Sequence, residues 1–187
     1  MDNTAMRVKV LEDVRRLLRR KVMIPRVGWS YAEPKDGCSL IPSREYAGTR
    51  TLAEVFIDHT CNVCVKGALF VSYVTNARIG ALDFMQDNYR ACSQYDCVGS
   101  TELDELLGGV FDNEELVFVE SWFERNFGVL ARWGGATKDV PLSEQYAVAQ
   151  VRLEFIVEHM LRNNGHFVKA LFEDEVRHAE GNRLAYE

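Results

Sequence analysis

Three residues near position 60, in "HTCNVCVKGALFVSYV", have the types and spacing of half a metal site: His59, Cys61 and Cys64. A structural zinc ion takes four tetrahedral ligands, often as close pairs such as C-x₂₋₄-C, because a short turn can present two thiolates without strain. Cys92 and Cys97, with four residues between them, offer a second pair, and His59 or Cys38 can replace one ligand. A competing reading makes the same thiols small buried hydrophobes at the start of a helix, since free cysteine is among the most buried residue types. Cys64 runs straight into "VKGALFVSYV", which reads as helix, and only one half-site matches closely. The thiols are therefore expected to pack, with no bound metal or cofactor. A redox role for C-x-x-C lacks the surrounding βαβ pattern.

The other groups able to do chemistry are scattered. His159 and His166 flank an Asn-Asn-Gly helix terminator, and His178 lies in the charged tail. Histidine near a helix C-terminus is favoured by the macrodipole alone. Carboxylates cluster at Asp112, Glu114, Glu115 and Glu120, and again at 173–175, where capping and solvation account for them. The chain holds no H-E-x-x-H, no calcium-loop pattern, no phosphate-binding glycine loop and no nucleophile elbow. No catalytic residue is assigned.

Aromatic residues supply the candidate binding site. Residues 24–50 contain three of the four prolines, a Lys-Asp-Gly turn, and the large rings Trp29, Tyr31 and Tyr46. Long irregular segments inside compact domains are uncommon and usually functional. With Arg132 and Trp133 of "ARWGG", these rings make a candidate platform for a protein hot spot or a nucleotide-like ligand.

Helical periodicity must position these groups. Met6, Val10, Val14, Leu17 and Leu18 mark a basic amphipathic helix over 5–23, ended by Pro25. Thr51 with Glu54 opens a helix, and Asn62 is a candidate cap for a second one running to Asn76. Whether 51–76 is one helix or two is left open by the pattern. A short helix runs from Ser100 or Thr101 to Leu107, stopped by Gly108 and Gly109. Asp112 with Glu115 forms another capping box, ahead of a stripe of Leu116, Val119, Phe123 and Phe127, with Gly128 as terminator. From Pro141 to Asn163 apolar residues occupy more than one face, the pattern of a central buried helix ended by Asn164-Gly165. A looser helix follows Phe167. Strand alternation is not evident. The fold expected is all-α: one domain spanning 1–187, with five to seven helices and the 24–50 loop.

Charge and composition bound the function. The first 26 residues carry eight basic and three acidic side chains, net +5, and the remainder carries 14 basic and 25 acidic, net −11. An acidic body disfavours general nucleic-acid binding, which draws most of its affinity from phosphate neutralisation. The basic strip is a solvated helix face or a contact for an acidic partner. No apolar run exceeds four residues, so a membrane span is not expected. With five cysteines and no secretory pattern in the first residues, a reducing, cytoplasmic setting is expected.

"CNVCVKGALFVSYV", "VFDNEELVFVESWFE" and "RLEFIVEHMLRNNGHF" together resemble small uncharacterised helical proteins of bacteriophages and bacteria. The resemblance implies a phage accessory protein acting in the host cytoplasm on a host protein or a signalling molecule. It brings no site residues with it. The leading reading is thus a non-enzymatic binding protein of the anti-defence kind, working through Trp29, Tyr31 and their neighbours. A hydrolase or nuclease using Asp and His side chains around 83–97 and 159–166, and a zinc-stabilised module, are the alternatives. A two-fold homodimer through the Phe/Trp stripe is compatible with each.

Overall fold

The computed structural model describes residues 3–27, 32–34, 60–77, 100–124 and 142–184. Its described residues form six helices and one small sheet, so the architecture is mainly helical: α1 (Thr4–Arg19), β1 (Met23–Pro25), β2 (Ala32–Pro34), β3 (Cys61–Val63), α2 (Val65–Ala77), α3 (Ser100–Leu107), α4 (Asn113–Phe123), α5 (Leu142–Arg162) and α6 (Lys169–Leu184). No described helix is long and apolar enough to cross a membrane.

α1 forms where its periodicity places it, and Val10, Leu11, Val14 and Leu18 are buried. It stops four residues before the expected end, at a Schellman turn. The Val22 amide donates to the Leu17 carbonyl (3.1 Å) and the Lys21 amide to Leu18 (2.9 Å). Lys21 takes the left-handed position of that turn, with φ +57°. Glycine is the usual occupant there because Cβ crowds the following carbonyl.

The sequence shows no clear strand alternation, and three short strands accompany the helices among the described residues. Past Lys21 the chain extends into β1, which pairs in parallel with β3 (Met23 opposite Cys61, Pro25 opposite Val63). β2 adds antiparallel on the other side of β3, with Ala32 opposite Val63. β1 and β2 therefore flank β3. Asn62 sits inside β3 and caps no helix. Residues 60–64 are not helical, and a helix runs from Val65 to Ala77, while the expected helix start at Thr51 and Glu54 lies outside the described residues. Strands of three residues are too short for a period-two signal, and cross-strand pairing selects them.

α2 is the central element. It touches α1, α3, α4 and all three strands, and every residue from Val65 to Ser72 is buried. The sequence pattern reserves that place for α5, but α5 commits one face to the core, through Ala149, Leu153, Ile156, Val157 and Met160, while Val151 is 65% exposed. On α4, Leu116, Val119 and Phe123 are buried as expected. α5 ends at a second left-handed turn, Asn164 (φ +54°) and Gly165 (φ +85°), with the Gly165 amide on the Met160 carbonyl (2.8 Å).

Candidate functional site

Among the described residues, one polar cluster joins α1 to the α3–α4 turn, to α4 and to the α5–α6 corner. Arg7 lies on the inner face of α1, and its side chain is mostly buried. Its Nε donates to the Val110 carbonyl (2.7 Å), and its NH1 donates to Glu115 Oε2 (2.7 Å) and to Nδ1 of His166 (2.9 Å). The guanidinium carbon also stands 5.5 Å from the Phe111 ring centroid, within cation–π range. Glu115 Oε1 receives the Phe167 amide at 3.3 Å. Glu115 was expected to complete a capping box. Asp112 does cap α4, accepting from the Glu114 amide (2.8 Å), but Glu115 turns instead to α1 and the α5–α6 corner.

Nδ1 of His166 stands within hydrogen-bond reach of both the Arg7 guanidinium (2.9 Å) and Glu115 Oε1 (3.2 Å), and the tautomer of the ring decides which of the two bonds it makes. A shallow cleft of about 430 Å³ opens beside Arg7, lined by Asn3, Val110, Phe111, Asp112 and Glu114. Its walls mix one cation with two carboxylates.

His159 is wholly buried one turn before this corner. The Val168 amide donates to its Nε2 (3.1 Å), so Nδ1 carries the proton and donates it to Glu175 Oε2 (3.0 Å). Arg162 holds the same Glu175 oxygen at 2.7 Å. Phe167 and Phe172 each lie 5.0 Å from the imidazole, centroid to centroid. Both ring nitrogens are occupied and no face meets solvent, so His159 fastens α6 to α5. Of the residues weighed for hydrolysis, His159 is a structural tie, His166 stands at the Arg7–Glu115 corner with its side chain 48% exposed, and 83–97 lie outside the described residues.

Lys66 is the buried group that periodicity did not single out. Its side chain is 3% exposed, and Nζ meets Asp104 of α3 (2.8 Å) and Glu120 of α4 (2.6 Å). Burial alone would lower its pKa, but the hydrogen bonds and charges of Asp104 and Glu120 outweigh burial and raise it. The signal was available: a single lysine inside "CVKGALFV" has no solvent side to occupy. Lys66 stands in the first turn of α2, where the helix dipole opposes a cation, so its two carboxylates offset both burial and dipole.

Of the proposed zinc ligands, Cys61 and Cys64 are described, and both are buried. Cys61 is the first residue of β3, and burial pushes its thiol up to about 12. Cys64 replaces Asn62 as the cap of α2: the Gly67 amide donates to its sulfur at 3.3 Å. His59, Cys38, Cys92 and Cys97 lie outside the described residues, and no three metal-ligating side chains converge among the described ones. The candidate binding residues Trp29, Tyr31, Tyr46, Arg132 and Trp133 also lie outside them. What the structure fixes is the sequence on either side of Trp29 and Tyr31, since β1 precedes them, β2 follows, and both are hydrogen-bonded to β3.

Comparison of the chain with protein-family models, curated proteins and solved structures finds no match.

Proposed function

We propose that this chain is a binding protein, a phage-type accessory factor that captures a host protein or sequesters a small signalling ligand through the aromatic residues of 24–50. The observation that supports this reading is how the described polar groups are spent. Arg7, Lys66 and His159 each join separate helices, with their hydrogen-bonding atoms turned inward to protein partners. Such groups rigidify a scaffold and leave recognition to segments suspended from it. Trp29 and Tyr31 stand in the sequence between two strands anchored on β3, which is how a rigid body presents a short recognition segment. Rigid presentation limits the entropy lost on binding, and large rings supply contact area with few rotatable bonds.

The test is capture from host lysate, with mass spectrometry of both proteins and small molecules, using the wild-type chain and a Trp29→Ala/Tyr31→Ala variant. Loss of a captured species by the variant, with helicity and melting unchanged, supports the reading. Equal capture by both chains removes it.

A further inference from the structure

We propose that the C-terminal end of α1 is a second interaction surface, built to dock an acidic peptide segment of a partner protein that carries apolar anchor residues. Arg16, Arg19, Arg20 and Lys21 are all exposed there. Arg16 pairs with Asp13, whereas Arg19, Arg20 and Lys21 make no ion pair among the described residues. The surface therefore carries unspent positive charge on a chain whose remainder is net acidic.

Two small clefts flank the ridge. One, of about 120 Å³, has Val22, Met23, Cys61 and Val71 in its lining, with Arg16 and Arg20 at its edge. The other, of about 150 Å³, has Leu18 and Val157, with Arg15 and Arg19 on one side and Glu154 and Glu158 on the other. Small-molecule sites occupy about 300–1,000 Å³, so each of these clefts suits a single apolar side chain. Apolar anchors seated in clefts, with a charged rim that steers and orients the partner, are the usual anatomy of a peptide-docking surface. The charges specify the occupant. Glu154 and Glu158 interrupt the positive ridge, and Arg15 is already engaged by Glu158 at 3.4 Å, which opposes a continuous phosphate backbone. Separate carboxylates set between apolar residues meet no such conflict.

The backbone at Lys21 supports the same conclusion. At the equivalent turn of α5 the left-handed residue is Asn164, a type that tolerates this conformation, whereas α1 places a lysine there. Any neighbouring cation would serve the helix dipole equally well. A lysine held where glycine or asparagine is easier on the backbone indicates that the charge at that point is used.

The experiment selects peptides from a displayed random-sequence library against the immobilised full-length chain, then measures the fluorescein-labelled winners by anisotropy. The inference requires winners rich in Asp and Glu around Leu, Phe or Met. Their affinity should fall at least about tenfold with Arg19→Glu/Arg20→Glu/Lys21→Glu and decline as salt rises. Lys9→Glu, an exposed reversal elsewhere on α1, should leave it unchanged, as should Trp29→Ala/Tyr31→Ala, which separates this surface from the aromatic one. Winners without acidic bias, affinity indifferent to the triple reversal, or tighter binding by oligothymidylate would each overturn it.

Discussion

Gly165 and Arg7 meet so closely that a Cβ built on the glycine would lie 2.5 Å from the Cβ of the arginine. That contact sets the α5–α6 corner against the first helix, and it depends on the absence of a side chain at 165. Gly165 also takes φ +85°, where any L-residue is strained. Gly165→Ala therefore combines a backbone penalty with a steric one, and a loss of about 2–4 kcal/mol is expected in urea unfolding. Stability within about 0.5 kcal/mol of wild type would show that the corner does not sit as described.

Arg7 and Glu115 form the polar half of the same junction, with side chains 11% and 17% exposed. Removing either partner strands the other charge, so Arg7→Met and Glu115→Gln should each destabilise by about 2–4 kcal/mol. The double variant should cost less than the two losses combined, with a coupling of about 1–3 kcal/mol. Additive losses would mean that the two side chains act independently.

Alkaline pH should weaken the fold for two reasons of the same sign. The Cys61 thiol stays protonated up to about 12, above its ordinary 9.0, so from pH 9 upward the unfolded chain ionises first and gains relative stability. Lys66 is held charged above its ordinary 10.5, so its stabilising contribution is complete below that value and lost as pH climbs past it. Urea midpoints measured from pH 8 to 11 should fall continuously. Cys61→Ala should flatten the portion that begins near 9, and a slope unchanged by that substitution would contradict the assignment.

Much of the helical grammar was legible. Asp112 caps α4, Gly108 and Gly109 follow α3 directly, and Asn164-Gly165 closes α5, because caps and terminators act through hydrogen bonds made within a few residues. Long-range pairing was not. β1 and β3 lie some 38 positions apart at Met23 and Cys61, and each is only three residues long, so neither carries a pattern of its own. The same distance hid the polar site: Glu115 reads locally as a capping residue, but its partner Arg7 is 108 positions away. α5 was over-read as central because Val151 extends its apolar pattern onto a solvent-facing side, while the true centre, α2, announces itself only as an apolar stretch with one lysine. Ring content and irregularity alone point to the aromatic platform, whose residues lie outside the described positions.

Hydrogen exchange with a bound partner tests the central claim most directly. The chain, alone and loaded with the species it captures, would be pulsed in deuterated buffer and read peptide by peptide. Recognition through the aromatic segment predicts strong new protection across 24–50, with exchange in the buried ladder of α2 unchanged. Protection confined to the Arg7, Glu115 and His166 corner, with 24–50 exchanging as freely as before, would contradict it.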